Sequence, residues 1–244
     1  MLEEDKHWWF ATRTRSLIRV LDRFVPPGEA GRRVLDVGCG AGNMFHHLAR
    51  YGQVEGIDNN PKPLEVARQR GYPVQEGLGE EMPYADDTFD LVAALDVVEH
   101  VDDDLALLRE CQRVCRPGGF LVSTAPAFQW LWSHNDEING HRRRYSRAEF
   151  NERLVEAGFT PRRLTYNNFA IFPMAAALIL LRRGVAREPE LAAPTTDDDA
   201  YQVEMEPAHP AVNALLSAVG RLEAWVLGAV NLPAGTSIIA VAQK

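Results

Sequence analysis

The sequence is poor in cysteine, has no long apolar run and carries no surplus of positive charge, and each lack closes off a class of protein. Three cysteines among 244 residues cannot all pair, so a disulfide framework is excluded. Cys111 and Cys115 lie four apart, on one face of an expected helix. Without a second cysteine pair they read as buried thiols rather than zinc ligands, and no metal is expected. The most apolar stretch, Phe169 to Leu181, runs about 13 residues without charge, short of the roughly 20 that span a bilayer. The N-terminus MLEEDKHWW is acidic and lacks the apolar core of a secretory signal. A reduced, cytoplasmic protein is therefore expected. The formal net charge of −8 argues against nucleic acid as the default partner. There is also no internal repeat.

What is present is an alternation of apolar strands and helical segments from Arg33 to Ala125. RVLDVG, QVEGID, YPVQEG, FDLVAAL and FLVSTAP read as strands. NMFHHLARYG, PKPLEVARQRG and DDDLALLRECQRVCRPGG read as the helices between them, closed by glycines or by Pro-Gly-Gly. Continuous apolar strands separated by helices imply a parallel sheet covered on both faces. SRAEFNERLVEAGF then opens with a capping box, Ser146 and Glu149, and TPRRLTYNN follows as a sixth strand. GTSIIAVAQK closes the chain as a seventh.

The chemistry-bearing element is VLDVGCGAGN, where the first strand turns into the first helix. Gly38, Gly40 and Gly42 let the backbone approach a ligand, with helix N–H groups pointing outward. Asp36 stands just before the first glycine. A pyrophosphate would be repelled by that carboxylate; a ligand with an ammonium group would be held by it. Asp58 ends the second strand, placed to take the hydroxyls of a ribose. Together these point to a nucleoside that carries an amino acid.

These stretches resemble the class I S-adenosylmethionine-dependent methyltransferases. LDVGCGAGN is similar to their first motif and EGIDNN to their second. GLGEEMPYADDTFDLVAALDVVEHVDD and RVCRPGGFLVSTAP resemble the segments around their third to fifth strands. The likeness covers roughly Arg33 to Pro126, with four motifs in order at the usual spacings. It implies an α/β fold: a doubly wound, seven-stranded, mostly parallel Rossmann-like sheet with the last strand antiparallel. It implies S-adenosylmethionine as cofactor and S-adenosylhomocysteine as product. By the same resemblance, Asp36 and the Gly38-Cys39-Gly40 backbone hold the methionine moiety. Asp58 holds the ribose, and Asn59 flanks the adenine. Gly79 and Glu80 form the loop at the adenine edge, and Asp96 lines the cofactor near the sulfonium. Members often carry an acid where this chain has Leu78, so an adenine amino contact would pass to Glu80 or to a water.

The flanks extend the expectation. HWWFATR, before the core, resembles an aromatic element of bacterial methyltransferases, forms a lid helix, and places Arg13 at the cofactor carboxylate. The alternative is a helix that only packs on the core. The apolar run from Phe169 and the helix around Trp225 form a helical insertion before the last strand: in the plain reading a helical hairpin packed on the core, otherwise a cap over an apolar acceptor, a homodimer interface or a membrane-surface contact. Arg182 and Arg183 would suit an anionic lipid surface or a helix C-terminus. The expected division is 1–30 for the lid, 31–168 for the cofactor-binding core, 169–234 for the insertion with a mobile linker at about 184–209, and 235–244 for the final strand. HNDEINGHRRRY follows the fifth strand, on the side where ligands bind parallel sheets. His134, His141 and His100 are the candidates for a base that takes a proton from an oxygen or nitrogen acceptor. One of the three consecutive arginines is expected to be functional and the others exposed. The expected function is methyl transfer to a small-molecule or lipid-linked acceptor, such as a sugar or quinol-like ring. An RNA or protein methyltransferase and a non-catalytic cofactor-binding protein are the alternatives.

Overall fold

The computed structural model describes residues 4–29, 31–182 and 209–244. Its strands are β1 (Arg33–Val37), β2 (Gln53–Asp58), β3 (Val74–Glu76), β4 (Phe89–Leu95), β5 (Cys115–Pro126), β6 (Thr160–Asn167) and β7 (Ser237–Gln243). They form one sheet in the order β3-β2-β1-β4-β5-β7-β6. β1 through β5 pair in parallel, and β7 runs antiparallel to both of its neighbours, β5 and β6. The doubly wound sheet with a reversed last strand is thus as expected. Val34 through Val37 and Leu91 through Ala94 are buried without interruption, because helices cover both faces of the central strands.

The helices are α1 (Trp8–Leu21), α2 (Phe45–Leu48), α3 (Pro61–Gln69), α4 (Asp104–Val114), α5 (His134–Ile138), α6 (Arg147–Glu156), α7 (Phe172–Arg182) and α8 (Pro210–Leu227). Their starts are written locally. Asn60 caps α3 by accepting from the Lys62 N–H at 3.1 Å, with Pro61 at the first helical position. Asp103 caps α4 through the Ala106 N–H at 2.9 Å. Ser146 and Glu149 form the expected capping box on α6.

Two boundaries differ from the sequence expectation. The helix expected over Asn43 to Gly52 is only the four residues of α2. The glycine turn consumes its start: the Gly42 N–H bonds to the Cys39 carbonyl and the Phe45 N–H to the Gly42 carbonyl. The helix expected to run on to Pro-Gly-Gly stops at Val114, and Cys115 already belongs to β5, opposite Phe89. Cys111 and Cys115 therefore do not share a helical face, although both thiols are buried.

The N-terminal helix and the insertion meet as one layer. The Trp8 N–H donates to Asn213 Oδ1 at 2.8 Å, and Asn213 Nδ2 donates to the Lys6 carbonyl at 3.1 Å. Buried Glu223 of α8 accepts the Phe169 and Ala170 N–H groups at 3.1 and 3.0 Å, which ties the approach to α7 onto α8. The linker expected at about 184–209 lies outside the described residues except for His209, whose side chain caps α8. Arg183 lies outside them too.

Candidate active site

β1 connects toward one edge of the sheet and β4 toward the other, so a crevice opens at their carboxyl ends, where doubly wound sheets bind ligands. The glycine turn lines one side of it. Gly38 adopts φ +67, and a Cβ there would meet Val97 Cγ2 at 2.6 Å; its N–H bonds to the Ile57 carbonyl at 2.8 Å. Gly40 adopts φ +51 and faces open space. Asp58 fixes the turn: one carboxylate oxygen accepts the Gly40 N–H and the other the Asn60 N–H, both at 2.8 Å. Each oxygen keeps a lone pair for a ligand hydroxyl. Asn59 is exposed beside it. The Cys39 side chain turns inward, packed with Phe45 and Leu64, so only its backbone borders the crevice.

Asp36 lies at 3% exposure beneath this turn. Burial, and then the nearby Asp58 charge, push its carboxyl up to about 8. A cationic ligand would reverse that shift. Across the crevice, Gly79 and Glu80 sit in a turn closed by a bridge between Leu78 and Glu81. A Cβ on Gly79 would strike Leu107 Cδ1, so glycine there lets the turn pack on α4. Leu78 projects with 52% exposure, where an apolar ring face could rest on it.

Asp96, just past β4, takes a left-handed φ of 55. Its N–H and one carboxylate oxygen bond to Thr124 Oγ1, each at 3.0 Å. The other oxygen accepts from Arg13 of α1 in an ion pair. Arg13, Asp96, Thr124, Asn167 and Met44 line a cleft of about 200 Å³ between α1 and the strand ends. The expected lid residue therefore reaches the crevice, held by Asp96. Asn167 is 2% exposed, and its Oδ1 has no hydrogen-bond partner.

The loop after β5 is more ordered than its polar composition suggests. Ser133 and Asp136 form a capping box on the short α5. The Asp136 side chain is fully buried, clamped by Arg144 Nε and a second guanidinium nitrogen at 2.7 and 2.9 Å. It also takes His141 Nδ1 at 2.8 Å. Burial raises the Asp136 pKa, but His141, Arg144 and the Ser133 N–H outweigh it, and the net shift is downward. The His141 and His100 rings meet edge to face, 4.9 Å between centroids. Burial, followed by the His141 charge, lowers the His100 pKa. Ligand atoms of Glu99, His100 and His141 lie within 4.8 Å of one another, a set that could hold a divalent cation. Glu99 is buried, with Oε2 unpartnered, and burial pushes its carboxyl up to about 8 against the pull of Arg13 and Arg144.

Of the three candidate bases, the fold brings His100 and His141 together. His134 stands apart on α5, half exposed and paired with Glu137 at 3.3 Å. All three consecutive arginines are engaged: Arg142 with Asp102, Arg143 with Asp104, and Arg144 with Asp136. Tyr145 donates to Asp104 Oδ2 at 2.7 Å. Asp136 was placed with His134 and His141 on the acceptor side by its position after β5, but its role as the carboxylate that holds His141 and Arg144 was not read; Glu99, Thr124 and Asn167 were missed as site residues. The Ser133-x-x-Asp136 spacing was a usable cap signal; nothing local marks the others.

Residues 35–123 match the methyltransferase domain family. A 103-residue stretch is 41% identical to the ubiquinone biosynthesis O-methyltransferase of Pseudomonas aeruginosa (strain LESB58), covering 38% of this chain and 43% of that protein. The chain thus spans less than half the length of the curated relatives it matches. Among solved structures, the [4+2]-cyclase SpnF aligns over 97% of this chain and 82% of its own at 24% identity, with a TM-score of 0.59. An S-adenosylmethionine-dependent methyltransferase from Mesorhizobium loti aligns over 97% of both chains at 16% identity and a TM-score of 0.57. At these identities the structural likeness establishes the fold. Residues 35–123 are thus similar to a methyltransferase domain, and the strand order around the glycine turn is that of a Rossmann-like methyltransferase fold.

Proposed function

We propose that the chain transfers a methyl group from S-adenosylmethionine to an oxygen of a small-molecule acceptor, with a quinol-like phenol ahead of a sugar. The observation that carries the reading is Asp36: a buried carboxyl raised to about 8, beside a glycine turn and a ribose-type acid. A ligand with an ammonium group stabilises its ionised form, whereas a dinucleotide pyrophosphate does not. The relatives' O-methyltransferase name favours oxygen over nitrogen.

Asp36 and the Gly38-Cys39-Gly40 backbone would hold the methionine moiety, and Asp58 the ribose. Asn59 and the Gly79-Glu80 turn would border the adenine, with Leu78 against the ring. Arg13 spends one donor on Asp96 and has further N–H groups for the cofactor carboxylate. When bound, the cofactor supplies an electrophilic methyl on a positively charged sulfur. Asp96, fixed by Thr124 and Arg13, presents negative charge on that side of the cleft. Asp136 accepts the His141 Nδ1 proton and leaves Nε2 free to take a proton from the acceptor hydroxyl. The imidazolium so formed is stabilised by the same carboxylate, which Arg144 holds in place.

Turnover of radiolabelled cofactor with a panel of phenols and sugars tests this. His141→Gln should lower kcat about a hundredfold or more with cofactor affinity unchanged, while His134→Gln stays near wild type. Full activity in His141→Gln rules out the base assignment. A second reading, a divalent cation on Glu99, His100 and His141, is favoured by the unpartnered Glu99 Oε2. It requires that a chelator abolish turnover and that added cation restore it.

The α7–α8 layer carries a broad exposed apolar surface: Met174 at 66%, Leu181 at 76%, Leu215 at 64%, Leu222 at 63% and Trp225 at 69%. It supports contact with a membrane surface that presents a lipid-linked acceptor, or with a second copy of the chain. No helix among the described residues is long and apolar enough to cross a membrane.

A further inference from the structure

His46 and His47 are adjacent on α2, where successive side chains leave the helix about 100° apart. Their rings nevertheless lie 3.8 Å apart between centroids. Both Nε2 atoms turn to a single carboxylate, 3.0 Å from Asp5 Oδ2 and 2.9 Å from Asp5 Oδ1. Asp5 comes from the 3-10 turn Glu4–Lys6, at the far end of the chain's N-terminal layer. The three ligand atoms fall within 4.8 Å of one another. We propose that Asp5, His46 and His47 form a binding site for a divalent transition ion of the zinc type, which clamps the N-terminal turn onto the glycine-loop side of the cofactor crevice.

The donor set suits that ion. Two imidazole nitrogens and a carboxylate are a common three-ligand zinc set, with water completing the tetrahedron. Two rings this close repel each other when both are protonated. Burial first, opposed by Asp5 and reinforced by His46, lowers the His47 pKa. Without metal, each Nε2–H can donate to one Asp5 oxygen; on binding, the ion replaces both hydrogen bonds and each ring proton moves to Nδ1. The three side chains retain partial exposure, 31%, 27% and 15%, which leaves an entry path and room for water. Asp5 and His47 also line the 200 Å³ cleft beside Arg13 and Asp96. Occupancy therefore fixes one wall of that cleft and holds α1 across the strand ends. The site is distinct from Glu99, His100 and His141, and it exists whether or not the chain transfers methyl groups.

The test is calorimetric titration of Zn²⁺ alone into the metal-stripped full chain, with emission from Trp8 and Trp9 followed in parallel. Wild type should bind with a Kd at or below about 10 μM, and the tryptophan emission should change as the turn locks. The His46→Gln/His47→Gln double variant should lose one equivalent of bound zinc, and Asp5→Asn should bind about tenfold or more weakly. His141→Gln should leave this site intact. Circular dichroism melts without zinc show that the variants fold; if the double variant does not, Asp5→Asn decides. Wild type that binds no zinc below about 100 μM overturns the proposal, as does a folded double variant with wild-type affinity and stoichiometry.

Discussion

Gly38 and Gly40 lie two residues apart in one turn, yet the structure assigns them opposite sensitivities. An alanine Cβ at position 38 would sit 2.6 Å from Val97 Cγ2, in the packed space between the turn and the segment after β4. It would also hold a φ of +67, which costs an L-residue about 1–2 kcal/mol. Overpacking adds about 1–3 kcal/mol. Gly38→Ala should therefore destabilise the fold by about 2–5 kcal/mol, which at this size lowers Tm by roughly 2–4 °C per kcal/mol. At position 40 the φ of +51 imposes the same backbone cost, but the Cβ meets nothing within 4 Å. Gly40→Ala should cost only about 1–2 kcal/mol of stability. On the proposed cofactor site, the Cβ fills the space a ligand would use to approach the backbone, so cofactor affinity should fall about tenfold or more. The assay is paired: urea denaturation of the free protein, and calorimetry with S-adenosylmethionine at a temperature where both variants are folded. Gly40→Ala binding at wild-type affinity would remove the cofactor from this turn. Equal stability of the two variants would show that the Val97 contact relaxes freely.

Asp36→Asn should separate stability from binding in another way. Because the folded pKa is raised to about 8, the native state holds a proton that the unfolded chain releases above about 4. Stability of the free protein should thus fall as pH rises from about 4 toward 8, and Asp36→Asn should remove that decline, gaining on the order of 1–3 kcal/mol at pH 8 while weakening cofactor binding. A parallel pH profile in the two proteins refutes the burial argument. Flotation with vesicles of anionic lipid should carry the wild type upward; Leu222→Asp with Trp225→Asp should stay at the bottom, and a dimer seen by sedimentation instead would assign the apolar surface to a second copy.

Much of the sheet was legible because its signals are local. The runs Val34 to Val37 and Leu91 to Ala94 are buried without interruption since both of their faces are covered, and the caps at Asn60, Asp103 and Ser146 each act within three residues. The glycine turn was legible for the same reason: Gly38, Gly40 and Asp36 lie within five residues of each other, and Asp58 reaches them through parallel pairing of β1 with β2. Where local signals competed, the reading slipped. The helical pattern after Asn43 was cut short by the glycine turn, and the pattern through Cys115 yielded to pairing with β4.

The sequence by itself determined the strand and helix alternation, the glycine turn and the residue types beside it, because hydrophobic periodicity and backbone conformation depend on near neighbours. Only the tertiary structure decided which distant groups meet. It set Arg13 against Asp96, brought Glu99 and His100 to His141, and turned Asp5 toward His46 and His47. It also removed His134 from that company and spent all three arginines of the loop on acids. The physical reason is that a carboxylate or an imidazole carries no record of its partner in the residues beside it; the packing of the elements supplies the partner.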